Sequence, residues 1–222
     1  MYTVCLVEDE IALSNIVKVY LERAGYEVIC FSKGSEAINY IGNKVDIWIL
    51  DIMLGDDISG YNVIKAIREK DEIVPVIFTS ARDQEIDKIF GLELGSDDYM
   101  TKPYSSKELV LRVNNIIKRV YKDSKQNNII KYNDYAIDTE KRIVTLNEKE
   151  IKTTTLEFDL LVLFLKNINT CFSREDIIEK VWGSDYYGTD RVVDDLIRRI
   201  RKKLPKIKIE AVYGYGYRLS WN

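Results

Sequence analysis

Short apolar runs rich in β-branched residues alternate with longer amphipathic segments through the first 121 residues, and this alternation restricts the fold more than any other feature of the chain. The runs lie at 3–7, 27–31, 46–50, 75–79 and 97–100, and the amphipathic segments at 11–24, 34–41, 61–70, 84–94 and 105–121. Strand and helix in regular succession build βα units around a parallel sheet. Five such units predict a doubly wound α/β domain with a five-stranded parallel sheet over residues 1–121.

The alternation stops at residues 122–128, Lys-Asp-Ser-Lys-Gln-Asn-Asn, which contain no large apolar side chain and cannot bury themselves. This stretch reads as a linker. Beyond it, strand-like pieces at 135–138, 142–146 and 150–153 precede helical patterns at 155–167, 173–182 and 191–204 and an aromatic hairpin pattern at 208–221. That order predicts a smaller α+β domain over residues 129–222. Charge divides at the same place: residues 1–122 carry 15 Lys and Arg against 20 Asp and Glu, and residues 123–222 carry 18 against 16. No apolar run approaches the ~18–20 residues of a membrane span, and no basic segment leads into an apolar one at the N-terminus, so no membrane association and a cytoplasmic location are expected. The three cysteines, Cys5, Cys30 and Cys171, are widely spaced and read as buried, reduced thiols.

The chain has no histidine. Ser-His-Asp and Cys-His catalysis and imidazole-bound metals are thereby excluded, leaving carboxylates, lysines, hydroxyls and thiols. Doubly wound sheets bind ligands at the carboxyl ends of their strands. At those ends stand Glu8 and Asp9, Asp51, Ser80, and Lys102 followed by Pro103. Converging carboxylates repel unless a cation joins them, and a hard, oxygen-liganded Mg²⁺ suits the set. With Lys102 beside the metal, central Asp51 can attack a phosphoryl group, and the Ser80 hydroxyl can bond a phosphate oxygen. A lone Asp at a strand end is more often a helix cap; four strand ends with complementary chemistry argue against that explanation.

Val7-Glu8-Asp9-Glu10, Leu50-Asp51-Ile52-Met53-Leu54, Phe78-Thr79-Ser80-Ala81-Arg82 and the run from Gly95 through Lys102-Pro103-Tyr104 together resemble the receiver domain of two-component response regulators. The resemblance implies that Asp51 is the phosphoacceptor and that Glu8, Asp9, Asp51 and the Met53 backbone carbonyl hold Mg²⁺. It also implies a switch pair, Ser80 and Tyr99, with Lys102 as the conserved lysine. A dimer face would join the 84–94, 97–100 and 105–121 segments through Lys88, Glu93, Asp97, Asp98, Glu108, Arg112 and Arg119. The family's Asp-x-x-Leu-Pro with a following Gly is here Asp51-Ile-Met-Leu-Gly55-Asp-Asp-Ile-Ser-Gly60, one residue longer and without the proline.

On a helical wheel, residues 191–204 place Arg191, Arg198 and Lys202 on one face and Val193, Leu196, Ile197, Ile200 and Leu204 opposite, with Arg199, Arg201 and Lys203 flanking the basic stripe. Such a helix fits a DNA major groove. The helix pattern opening at Ser173 and the Tyr213-Gly-Tyr-Gly-Tyr217-Arg218 hairpin complete a winged helix-turn-helix. These segments, with Thr155-Leu-Glu-Phe-Asp-Leu-Leu161 and Val181-Trp182-Gly183, resemble the effector domain of the OmpR/PhoB class. The combined resemblance implies a transcriptional regulator phosphorylated by a sensor histidine kinase. It would bind double-stranded DNA at tandem or paired half-sites as a phosphorylation-induced homodimer. DNA contacts would come from Arg191, Asp195, Arg198, Arg199, Arg201, Lys202, Tyr213, Tyr215 and Arg218, and the segment 183–189 would meet RNA polymerase or a neighbouring subunit. Two other readings fit the residues: a DNA-binding regulator whose receiver takes no phosphate, and a phosphohydrolase, which the Met at position 53 disfavours because such enzymes often carry Asp there. No enzyme activity is expected beyond self-phosphorylation from small donors and self-dephosphorylation. Asp195 puts a negative charge on the groove face, where it either pairs with an arginine or accepts from cytosine N4. Replacing Asp195→Ala is expected to change the base preferences recovered by selection from random duplexes; identical preferences would refute this role.

Overall fold

In a computed structural model of the chain, residues 1–55, 58–81, 90–121, 129–183, 186 and 190–220 are described. Contacts divide the chain into two units, Met1–Tyr121 and Lys122–Asn222. In the first, strands β1 (Thr3–Val7), β2 (Glu27–Phe31), β3 (Ile47–Asp51), β4 (Val76–Ser80) and β5 (Asp98–Thr101) form one sheet in the order β2-β1-β3-β4-β5. All its pairings are parallel. Helices α1 (Ile11–Arg23), α2 (Gly34–Tyr40), α3 (Gly60–Lys70) and α4 (Ser106–Tyr121) belong to this unit, and residues 90–93 are helical as well.

Every residue of β1, β3 and β4 is buried, as expected where helices cover both faces. Successive side chains point to opposite faces. Val4, Leu6, Ile47 and Ile49 therefore pack with Val17 and Leu21 of α1 and Leu109 and Val113 of α4. Cys5, Val7, Trp48 and Leu50 pack with Ala37 of α2 and Val63 and Ile64 of α3. Because chain order reverses on either side of β1, the crevice at its carboxyl end lies between β1 and β3.

Strands β3, β4 and β5 each begin one residue later than the apolar runs suggest. Asp46 accepts the Thr3 amide on its own carboxylate at 2.7 Å, and Asp97 accepts the Val76 amide at 2.9 Å. These aspartates grip the neighbouring strands from both sides, their carboxylates accepting the Thr3 and Val76 amides and their own amides donating to the Thr3 and Val76 carbonyls, and Asp51 and Ser80 are the last residues of their strands. Cys5 is buried, and burial pushes its thiol up to about 12. Cys30 corrects the expectation of buried thiols: it is exposed, on edge strand β2.

The second unit opens with an antiparallel sheet, β6 (Ile129–Tyr132), β7 (Tyr135–Asp138), β8 (Ile143–Leu146) and β9 (Lys149–Ile151), in that order. Helices α5 (Thr155–Lys166), α6 (Arg174–Val181) and α7 (Arg191–Lys203) follow. Strands β10 (Cys171–Ser173), β11 (Ile209–Val212) and β12 (Gly216–Leu219) form a three-stranded sheet in the order β10-β12-β11, so β11 and β12 make the wing of a winged helix. β10 pairs with β12 only because Gly216 has no side chain; a Cβ there would overlap the Phe172 carbonyl. Capping boxes start α5 at Thr154 and α6 at Ser173.

Glu157, in the first turn of α5, is nearly inaccessible to solvent. It accepts the Thr154 amide at 2.9 Å and the Lys203 ammonium at 2.8 Å, with the Arg199 guanidinium at 3.8 Å. Through it the end of α7 is tied to the start of α5. Removing one member of a buried ion cluster costs ~3–5 kcal/mol when the partners stay trapped; Lys203 can turn to water here, so Glu157→Ala is expected to lose about 2–3 kcal/mol in urea unfolding of the second unit.

Candidate functional site

Strand order brings Glu8 and Asp9, just after β1, beside Asp51 at the end of β3, and Lys102, just after β5, reaches across to both. The Lys102 Nζ stands 2.6 Å from Asp51 Oδ2 and 2.7 and 2.8 Å from the two Glu8 oxygens. The Met53 amide donates to Asp51 Oδ1 at 2.9 Å. Glu8 is 1% and Asp51 3% exposed, whereas Asp9 faces solvent. Burial, and then the Asp51 charge, push the Glu8 carboxyl up to about 7 against the opposing pull of Lys102. Burial works to lower the Lys102 ammonium, but its bonds to Asp51 and Glu8 prevail and its pKa is raised. Burial and the Glu8 charge also push the Tyr104 hydroxyl up to about 12, so it stays protonated.

Oxygen atoms from Glu8, Asp9 and Asp51 all lie within 4.8 Å of one another. Three hard carboxylate donors, two of them shielded from water, suit a small divalent cation such as Mg²⁺. Two glycines shape the rim. A Cβ on Gly55 would stand 3.0 Å from Asp9 Oδ2, and one on Gly60 would overlap the Asp51 carbonyl oxygen. Position 60 therefore admits only glycine if α3 is to start directly beneath Asp51. Sequence reasoning noted Gly60 as a displaced family glycine but did not find this contact; the signal was a glycine standing at a helix N-terminus.

Ser80 is fully buried at the end of β4. Tyr99 on β5 is buried too, its ring edge-on to Phe78 with centroids 6.5 Å apart. In the charged face, Asp98 accepts from Arg112 at 2.8 and 3.1 Å, and Arg112 also donates to Glu108 at 2.7 Å. Asp97 lies 3.4 Å from Arg119. Six of the seven residues expected at a dimer face are described. Five of them form these pairs within one chain, Glu93 is exposed, and Lys88 lies outside the described residues.

In the second unit α7 buries Val193, Leu196, Ile197 and Ile200. Arg191, Arg198 and Lys202 are exposed, and Asp195 accepts from Arg198 at 3.1 Å. The negative charge on this exposed face is thus paired with an arginine one turn away. Two arginines that flank the stripe, expected among the DNA contacts, bond within the domain. Arg199, its side chain only 14% exposed, turns to Glu157, and Arg201 donates to the Ile209 carbonyl at 2.6 and 3.0 Å. The wheel places them on the flanks but cannot reveal these partners, which come from α5 and β11. Tyr213 and Tyr215 are exposed at the wing tip, where Gly214 has a φ of +72°, and Arg218 on β12 lies 3.4 Å from Glu210. Of the 183–189 segment, Gly183 and Tyr186 alone are described, with a Trp182–Tyr186 ring contact at 5.5 Å.

Residues 4–114 match the response regulator receiver domain, and residues 148–219 match the C-terminal domain of transcriptional regulatory proteins. The chain is 48% identical over 221 residues to the transcriptional regulatory protein CssR of Bacillus subtilis, covering 98% of each. It is a response regulator of the OmpR/PhoB class. The response regulator SaeR of Staphylococcus aureus is 36% identical over 221 residues, covering 97% of this chain and 96% of SaeR. The crystal structure of DrrB, an OmpR/PhoB homolog from Thermotoga maritima, matches with a TM-score of 0.54 at 28% identity over 99% of both chains. This response regulator is a two-component transcriptional regulator, with a receiver that implies a sensor kinase partner and a second domain that implies DNA. Among the described residues of the regulator, no helix is long and apolar enough to cross a membrane.

The raised Glu8 pKa gives the regulator a pH signature. A carboxyl must be ionised to hold a divalent cation, so Mg²⁺ affinity measured by calorimetry is expected to fall by up to about tenfold per pH unit below 7, and Glu8→Gln should flatten that dependence. For the metal-free protein the sign is opposite. Glu8 lies above its ordinary 4.5, so its contribution to stability is complete below that value and is lost as pH rises through about 7.

Proposed function

We propose that Asp51 accepts a phosphoryl group from the phosphohistidine of a partner sensor kinase, or from a small acyl phosphate, and that the modified chain pairs with a second copy on DNA. The observation that carries this reading is the Lys102 ammonium, 2.6 Å from Asp51 and 2.7 Å from Glu8 at the carboxyl edge of a parallel sheet. An Asp51 carboxylate oxygen attacks phosphorus, and the bond from phosphorus to the donor breaks with its electron pair leaving on the donor. Glu8, Asp9, Asp51 and the Met53 carbonyl would hold Mg²⁺, which when bound neutralises charge on the phosphoryl oxygens. Lys102 transfers its hydrogen bond from the Asp51 carboxylate to a phosphoryl oxygen, and Ser80 donates its hydroxyl to another. Water attack on the acyl phosphate returns the free aspartate.

Phosphorylation shifts Ser80 and Tyr99, and the face built from Lys88, Glu93, Asp97, Asp98, Glu108, Arg112 and Arg119 becomes favourable for pairing. The pairs formed within one chain must then be exchanged for pairs between chains. Two effector domains reach tandem or paired half-sites together, so weak single-site binding gains from effective concentration. Arg191, Arg198 and Lys202 enter the major groove with Asp195, Arg199 and Arg201 set around them. Tyr213, Tyr215 and Arg218 flank the site from the wing, and the 183–189 segment meets RNA polymerase or a neighbouring subunit.

Incubation with acetyl phosphate and Mg²⁺ is expected to add one phosphoryl group by intact-mass measurement and to convert the chain to a dimer by light scattering. Asp51→Asn should do neither. Turnover of donor without accumulation would favour a phosphohydrolase, and an unmodified chain that binds DNA fully would favour a silent receiver.

A further inference from the structure

Laid out at ~100° per residue, α7 divides into four sectors. Val193, Leu196, Ile197 and Ile200 fill the core sector. Arg191, Asp195, Arg198 and Lys202 form the stripe opposite, and Arg199 and Lys203 occupy one flank against Glu157. The other flank belongs to Asp194 and Arg201, seven positions apart and so within ~20° of one line along the helix.

Both flank residues meet the same side chain of the wing. The Tyr217 hydroxyl donates to Asp194 Oδ1 at 2.8 Å, and Arg174 at the start of α6 donates to that oxygen at 2.8 Å. The guanidinium carbons of Arg174 and Arg201 lie 5.2 and 5.7 Å from the Tyr217 ring centroid. Tyr217 is 6% exposed, and burial holds its hydroxyl pKa above the ordinary value, so it remains a donor. The same hairpin carries Tyr213 and Tyr215 at its exposed tip.

Apolar packing already closes this domain, with Phe172, Leu196, Ile197 and Leu219 all buried. Such packing is non-directional; rotation of the hairpin against the helix is fixed by directional bonds, the Arg201 pair to the Ile209 carbonyl at the base of β11 and the Tyr217–Asp194 bond nearer the tip. A hydrogen bond is directional, while one to a carboxylate that is 46% exposed adds little to stability. The Tyr217–Asp194 bond therefore fixes orientation more than it holds the fold. We infer that Tyr217 and Asp194 are positioning residues for DNA recognition, locking the wing beside α7 so that the wing tip and the α7 stripe engage one duplex at a set spacing. The inference rests on the reading that stripe and wing touch DNA together.

The test uses the full chain and a duplex selected by the parent protein from a random-sequence pool, at one fixed salt concentration. Tyr217→Phe keeps the ring between its two arginines and deletes only the hydroxyl, and it is expected to bind about three- to tenfold more weakly. Tyr213→Ala should weaken the parent but have no further effect in Tyr217→Phe, whereas Arg198→Ala should cost the same factor in both backgrounds. Hydroxyl-radical footprints of Tyr217→Phe should lose protection on the wing side alone, and Asp194→Ala should reproduce the pattern. The inference is overturned if the Tyr213 and Tyr217 effects multiply independently, or if Tyr217→Phe lowers thermal stability and erodes the Tyr213 and Arg198 contributions alike. If Tyr213→Ala leaves the parent unchanged, the joint stripe-and-wing reading fails, and the inference falls with it by a distinguishable route.

Discussion

Two carboxylates stand within reach of each other at the ends of β1 and β3, both withdrawn from water, and a single ammonium keeps them there. Without Lys102, the Glu8 and Asp51 charges would repel across a short gap in a poorly screened crevice. The position of that ammonium depends on β5, whose register against β4 places Thr101 opposite Ser80 and delivers Lys102 one residue later. The sheet thus carries the charge arrangement, and the arrangement in turn explains why residues so polar can lie at the core's edge. A cation bound among Glu8, Asp9 and Asp51 would take over part of the ammonium's work, leaving Lys102 to turn toward a newly arrived anion.

The second unit solves a different problem with the same means. Its most basic helix keeps one side open to solvent and packs on the others. α7 does so by assigning each cation a sector: Arg199 and Lys203 to Glu157, Arg201 to the β11 carbonyl and the Tyr217 ring, and Arg198 to the exposed stripe with Asp195 beside it. A count of charges along the helix therefore overstates the charge left on its exposed face. The exposed stripe is narrower and carries its own acid, Asp195, paired with Arg198.

Much of this is legible from residue order. The alternation of apolar runs and amphipathic segments identifies a doubly wound domain because buried parallel strands have no solvent face to mark with polar residues. Glu8, Asp51 and Lys102 could be brought together on paper because each follows directly from such a run. Strand starts were harder to read: Asp46 and Asp97 bond neighbouring amides through their side chains, and a propensity pattern cannot tell a side-chain acceptor from a backbone one. The short strands β6 and β10 escaped notice for a related reason. β10 is three residues long and exists because a partner far along the chain, Gly216, leaves room for it. The internal partners of Arg199 and Arg201 are likewise tertiary facts, set by α5 and β11 and invisible in the helix's own periodicity.

Gly55 and Gly60 bracket the segment that follows β3, one near Asp9 and the other beneath the Asp51 carbonyl. A side chain at position 60 would displace the Asp51 backbone, and Ile58 packs on the core beside Gly34 of α2, so the start of α3 is held close to the aspartate. Any substitution at position 60 would therefore be felt first at the carboxylate site, through the Asp51 backbone.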